Sequence, residues 1–192
     1  MRVKTRASVM GRYPLEEDYE YISPRTLVLV GKTGNGKSST GNSILGTQVF
    51  KSKLSPSSVT RTSELQRKAL DDGQTLIVID TPGLFDSSHE FKFIREEIVS
   101  CIHKAKDGID AFLFVISIQN RFTGDEPDAI NSLRTLFGSK FYDYMIIVFT
   151  NGDALERDNQ SLEDFLSESP KSFQETSTCV RIGVLFFITI LL

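Results

Sequence analysis

The stretch "GKTGNGKSST", Gly31–Thr40, follows directly on "RTLVLV", Arg25–Val30. A stiff apolar run gives way at once to a loose one: glycines at 31, 34 and 36, then Lys37 and a row of hydroxyl side chains. Gly31, Gly36, Lys37 and Ser38 fit the pattern G-x-x-x-x-G-K-[ST]. Glycines let the backbone turn sharply and bring its N–H groups close to an anion. A helix starting near Lys37 aims its positive dipole end at the same point. The pattern therefore reads as a phosphate site built from Gly31, Lys32, Thr33, Gly34, Asn35, Gly36, Lys37, Ser38 and Ser39. Lys37 is expected to reach the β- and γ-phosphates, and the Ser38 hydroxyl to ligate Mg²⁺. Alone, the stretch is also a flexible Gly/Ser turn. The flanks decide: Leu27–Val30 supplies a strand before it, and "SSTGNSILG" a helix after it, with Ile44 and Leu45 inward and Gly46 as the stop.

The rest of the composition is consistent with one domain around that loop. The chain has 192 residues, enough for a single α/β unit with a sizeable core. Hydrophobic residues make up 40% and charged residues 24%, which excludes a disordered chain. A net charge of −3 offers no basic surface for nucleic acid. Cys101 and Cys179 are the only cysteines, so neither a disulfide framework nor a zinc site is readable. Cys101 lies on a helical apolar pattern and reads as a reduced core thiol, in keeping with a cytoplasmic protein; peripheral membrane attachment stays open. Residues 1–23 read as an arm, basic in "MRVKTRASVMGR" and acidic in "EEDYE", either a mobile tail or a targeting peptide without an apolar signal core. At the other end, "RIGVLFFITILL" is too short to span a bilayer: about twelve helical residues rise about 18 Å against a core of about 30 Å. It reads as a buried final strand.

Periodicity fills in the order of elements. Strand Thr26–Val30, the loop and helix Lys37–Leu45 come first, then an irregular stretch to Ser58 and a polar strand over Val59–Ala69. A turn at "DDGQ" leads into the buried strand "TLIVID". Phe91, Ile94, Ile98, Cys101, Ile102 and Ala105 then recur at helical spacing. "AFLFVISI" is a strand, Glu126–Phe137 a helix burying Ile130, Leu133 and Phe137, with its cap at Thr123 or Asp125. "YMIIVFT", a short helix in "SLEDFLSES" and a strand at "VLFF" complete the chain. Continuous apolar strands alternating with helices predict an α/β fold: a mainly parallel sheet with helices on both faces, and one antiparallel edge strand from the hairpin at Gly73.

Further candidate site residues sit at strand ends. "TLIVID" ends in Asp80, followed by "TPGLF". The carboxyl end of a parallel strand is where such sheets bind ligands, so Asp80 is a candidate for Mg²⁺ and Gly83 for a γ-phosphate. "YMIIVFT" ends in Thr150, Asn151, Gly152 and Asp153. A carboxylate at Asp153 accepts from the N1–H and 2-amino group of guanine, a donor pair adenine lacks. A threonine between Gly46 and Asp80 should close over Mg²⁺; Thr60 is favoured and Thr62 competes.

Together "LVLVGKTGNGKSSTGNSILG", "DTPGLFD", "VISIQNRFTGDE" and "VFTNGD" resemble the immune-associated nucleotide-binding GTPases (the GIMAP relatives in animals), with plant members nearest in wording. The resemblance runs from about Arg25 to Ser169 and extends to septin- and chloroplast-import-receptor-type GTPases. It implies a P-loop NTPase with a Ras-like, AIG-type G domain over residues 24–192. GTP or GDP with Mg²⁺, and homo- or hetero-dimers through G domains, are implied with it. Carried over by position, Gly31–Ser39 is the phosphate loop, Thr60 the switch threonine, Asp80–Gly83 the second switch, and Thr150–Asp153 the guanine motif.

Three positions depart from the wider pattern. Asn151 stands where a basic residue often packs on the base. Leu84 follows Gly83, where Ras-type enzymes carry a water-orienting glutamine. After "VLF" the family continues with a base loop and a further helix, and here the chain reads "FITILL". The expectation is a GTP-binding switch with slow hydrolysis, controlled by G-domain pairing. The alternative is a nucleotide-dependent scaffold with negligible hydrolysis. A P-loop ATPase or small-molecule kinase is weaker, because no acceptor pocket or arginine-bearing lid is evident.

Overall fold

The computed structural model describes residues 23–52, 60, 62–86, 91–120 and 125–184. Six strands form one sheet: β1 (Arg25–Val30), β2 (Glu64–Ala69), β3 (Thr75–Asp80), β4 (Ala111–Ser117), β5 (Met145–Thr150) and β6 (Arg181–Val184), in the spatial order β2-β3-β1-β4-β5-β6. Only the β2–β3 pair is antiparallel; the other pairs are parallel. Central strands buried on both faces need apolar residues throughout, which is why all seven residues of β4 are buried while the outer strand β2 is polar.

Alternate residues feed two cores. Leu29, Val78, Leu113, Val115 and Val148 face α1 (Lys37–Leu45), through Leu45 and Phe50. Val28, Val30, Ile79, Phe112, Phe114 and Phe149 face the opposite way. They pack there against α2 (Phe91–Lys104) and α3 (Asp125–Phe137), through Ile94, Ile98, Ile130 and Leu133. Three short helices, α4 (Asp153–Arg157), α5 (Leu162–Ser167) and α6 (Lys171–Ser177), follow β5. Phe165 and Phe173 meet Phe149 edge-on at ring separations of 6.2 and 6.4 Å. Truncating a buried phenylalanine of this kind costs about 3–5 kcal/mol. Asn42, buried in α1, fixes the chain leaving the helix: its Oδ1 accepts from the N–H groups of Val49 and Phe50 at 2.9 and 2.8 Å. That places Phe50 in the core.

The register aligns the strand ends. Leu29 pairs with Asp80, Val30 with Phe114, and Ser117 with Thr150. The loops after β1, β3, β4 and β5 therefore leave from one edge of the sheet.

The mainly parallel sheet with helices on both faces and one antiparallel edge is as the sequence led us to expect. Some elements differ. The polar strand begins at Glu64: Thr60 bonds to Asp80 at 3.3 Å, and the Ser63 N–H donates to Glu97 of α2 at 3.1 Å instead of joining the ladder; Val59 lies outside the described residues. Ile102 is 45% exposed, because the core-facing stripe of α2 runs through Ile94, Ile98 and Cys101 and leaves Ile102 on the outer side. The last strand begins at Arg181, and the "FF" of "VLFF" lies outside the described residues. Asp125 is the first residue of α3; Thr123 lies outside the description, as do the arm over 1–22 and the end over 185–192. Helices α4 and α6 and the 3₁₀ turn Ser139–Tyr144 went unread, being too short for a periodic signal.

Candidate functional site

β1 delivers the chain at Gly31 straight against β4. A Cβ at Gly31 would collide with the carbonyl oxygen of Val115, and its φ of 143° is strained for any other residue. The loop is then pinned from the far side. Asn35 donates from Nδ2 to the Val115 carbonyl at 2.9 Å, and its Oδ1 accepts from Asn120 at 2.8 Å. Its backbone carbonyl accepts from the Thr150 hydroxyl at 2.8 Å. Lys32 reaches sideways to Glu126 in α3 at 2.9 Å, an ion pair with the carboxylate buried. Gly34 is exposed at the tip, and Ser39 is half-buried in the first turn of α1.

Lys37 folds back over this loop. Its Nζ donates to the carbonyls of Gly31 and Lys32 at 3.0 and 2.8 Å. Burial lowers its ammonium to about 8, while the carboxylates of Asp80 and Asp86 act in the opposite direction. A cation kept this dry is a strong partner for an anion that arrives with it.

The three residues expected at a metal come together. The Ser38 hydroxyl donates to Asp80 Oδ2 at 2.6 Å, and Thr60 Oγ1 to the same oxygen at 3.3 Å. Ser38 Oγ and Thr60 Oγ1 are 3.4 Å apart. Thr62, the competitor, is exposed. Asp80 is buried, and its Oδ1 has no hydrogen-bond partner. Burial raises its pKa, against hydrogen bonding from Ser38 and attraction to Lys37. A desolvated carboxylate with an orphaned oxygen beside two hydroxyls fits a hard divalent cation such as Mg²⁺, which accepts few protein ligands. Among the described residues no cluster of three His, Cys, Asp or Glu side chains offers another metal site.

The segment after β3 lies on the phosphate loop. The Thr81 hydroxyl donates to the Leu29 carbonyl at 2.7 Å, tying β3's end to β1. A Cβ at Gly83 would strike the Thr33 hydroxyl and stand 2.6 Å from the Thr33 nitrogen, so only glycine permits this approach. Leu84 is fully buried in the core, packed with residues such as Val30 and Phe85.

The "TNGD" turn joins from β5. Thr150 is buried, bridging to Asn35. Asn151 adopts φ 59° and donates to the Ser117 hydroxyl at 2.8 Å. Asp153 opens α4 with its side chain exposed, 3.4 Å from Arg157. Reading by motif anticipated Thr150 and Asp153 but not the bracing roles of Asn35, Asn120 and Glu126. Their signal is weak, since an asparagine's partner lies far away in the chain.

A family model described as the AIG1 family matches residues 25–186. Immune-associated nucleotide-binding protein 12 of Arabidopsis thaliana is 50% identical over 167 residues, covering 87% of this chain and 42% of that protein. Immune-associated nucleotide-binding protein 13 of the same plant is 46% identical over 178 residues, covering 93% and 53%. The chain thus spans about half the length of these curated relatives. Among solved structures, Arabidopsis thaliana Toc33 in complex with GDP and Mg²⁺ has a TM-score of 0.61 at 21% identity, over 86% of this chain and 71% of that one. Era of Aquifex aeolicus bound to GDP and AlF₄⁻ has a TM-score of 0.61 at 20% identity, over 86% and 52%. These likenesses give the fold alone, the mainly parallel α/β sheet that this chain shares with Toc33 and Era. With a family model spanning most of its length and relatives at half identity, the chain belongs to the AIG1 family.

Proposed function

We propose that this chain is a GTP-binding switch protein that hydrolyses GTP slowly and is controlled by pairing of G domains. The observation that carries the reading is the meeting of Ser38, Thr60 and Asp80 beside the buried Lys37. Residues from three separate segments converge where a phosphate chain with a divalent cation needs them. The names of the relatives, which are nucleotide-binding proteins, support it. So do solved structures of similar fold that carry GDP with Mg²⁺, or GMPPNP with Mg²⁺.

On this reading Gly31–Ser39 cradles the phosphates with backbone N–H groups, and Lys37 offsets charge on the phosphoryl group. Ser38, Thr60 and Asp80 hold Mg²⁺, which neutralises phosphate charge when bound. Gly83 offers its backbone N–H to the terminal phosphate. Asp153 accepts from guanine, with Thr150 and Asn151 holding the turn. Leu84 is in the core, so it cannot position an attacking water, which supports a slow intrinsic rate. Control by a second G domain is supported by the report for the chloroplast translocon components Toc33 and Toc159 that dimerization is important for GTPase activity. The same burial of Leu84 favours the second reading, a nucleotide-dependent scaffold with negligible hydrolysis.

No helix among the described residues is long and apolar enough to cross a membrane. Binding of mant-GTP, mant-GDP and mant-ATP to the purified protein tests the proposal. Tight guanine-nucleotide binding that depends on Mg²⁺ is expected. Equal or tighter binding of the adenine nucleotide would overturn it.

A further inference from the structure

The second segment of the site carries a group that the phosphate loop does not ask for. The backbone N–H of Thr33 donates to Asp86 Oδ1 at 2.9 Å, across 53 residues of sequence. The other carboxylate oxygen lies 2.7 Å from where a Cβ on Gly83 would stand, so Asp86 and Gly83 crowd the same corner. Asp86 also acts electrostatically on Lys37. Leu84 and Phe85, immediately before it, are buried in the core. The carboxylate is therefore held at the loop rather than hanging free above it. The Thr33 hydroxyl beside it is buried without a hydrogen-bond partner.

Backbone N–H groups of such a loop serve to bind anions. Here one of them is already satisfied by an anion that belongs to the chain. A terminal phosphate brought to this corner meets a carboxylate of like charge in partly desolvated surroundings, where repulsion is much stronger than in water. A diphosphate, one phosphoryl group shorter, leaves that group undisturbed. We propose that Asp86 is a specificity-determining residue of the phosphate site, whose carboxylate competes with a terminal phosphate for Thr33 and biases the site toward nucleoside diphosphate. This rests on the guanine-nucleotide reading above. It also gives the terminal phosphate a mechanical consequence. Displacing Asp86 from Thr33 pulls on Leu84 and Phe85, so triphosphate binding is felt in the core beneath α2.

The test uses the whole chain with Mg²⁺, titrated with mant-GDP and with the non-hydrolysable mant-GMPPNP. Asp86→Asn keeps an acceptor for the Thr33 N–H and removes the charge; Asp86→Ala removes both. Circular dichroism and melting temperature verify that each variant is folded. The expected result is a rise of about tenfold in the triphosphate-to-diphosphate affinity ratio in both variants, equivalent to about 1.4 kcal/mol. The rise should come from tighter triphosphate binding, with GDP affinity little changed. An unchanged ratio in folded variants, or a loss of triphosphate affinity, would overturn the role of Asp86 while leaving the guanine-nucleotide reading intact. A wild-type protein that binds neither nucleotide would overturn both.

Discussion

Lys37 is the buried cation of the phosphate loop, and its two hydrogen bonds go to carbonyls of the loop itself. Those bonds aim the side chain but do not hold the fold together, since β1 and α1 on either side are anchored in the cores. Lys37→Ala is therefore expected to fold normally and to lose most triphosphate affinity, about 1.5–3 kcal/mol or more for a charge-assisted contact in dry surroundings. Isothermal titration with GMPPNP and a melting curve read the two effects separately. At Asp153 the expectation concerns selectivity. The carboxylate is exposed, and its pair with Arg157 is of the surface kind that contributes about 0–1 kcal/mol. Asp153→Asn should leave stability nearly unchanged and shift preference from guanine toward xanthine nucleotides, because an amide offers a donor where xanthine carries a carbonyl. Competition of XTP against GTP on both proteins measures it, and an unaltered rank order would reduce Asp153 to a turn residue.

At the scale of elements, α2 shows how a core position and its chemistry go together. Cys101 is fully buried on the stripe with Ile94 and Ile98, and burial pushes its thiol from 9.0 up to about 11. Nearby Lys104 donates to Ser63 and Ser100 at 2.8 and 2.6 Å, clasping α2 to the start of β2. The unfolded chain releases the Cys101 proton near its ordinary value, whereas the folded chain keeps it to about pH 11. Stability should therefore fall as pH rises through that window, by about 2–3 kcal/mol at most. Urea midpoints at pH 8 and pH 10.5 should separate more in the wild type than in Cys101→Ala. The helix was legible in the sequence because Ile94, Ile98 and Cys101 repeat at its period. Strands β1, β3, β4 and β5 were legible because burial on both faces demands unbroken apolar runs. Asp80 and Thr150 could be singled out because each ends an apolar strand, whereas Thr60 was one of two candidate threonines between Gly46 and Asp80, and only the fold sets it beside Asp80. What was not legible is the bracing. Asn35 bonds to Val115, Asn120 and Thr150, and Lys32 to Glu126, and only the folded sheet brings such partners together. Ile102 was misread because helical spacing alone does not say how wide the buried stripe is.

For the molecule as a whole, the question is what completes the site. Leu84, which follows Gly83, is in the core and does not face an attacking water. Ras without assistance turns over at about 10⁻⁴ s⁻¹, and an arginine supplied in trans raises that about 10⁵-fold. On the proposed reading the monomer should need minutes to hours for one turnover. The rate per molecule in single-turnover assays should rise with protein concentration as G domains pair. A fast rate that ignores concentration would show that one chain orients the water by itself.

The Thr150 hydroxyl bound to the Asn35 carbonyl at 2.8 Å has a consequence for how a nucleotide is weighed. On the proposed reading it fastens the turn that would take the base to the loop that would take the phosphates, so both ends of the ligand would meet one mount. Guanosine alone and pyrophosphate alone would each give up translational and rotational freedom to bind, and each would bind feebly. Joined in one molecule they give it up once, and the second end docks at a high effective concentration. The site then behaves as a ruler, rewarding a ligand for the distance between its ends as much as for the groups it carries.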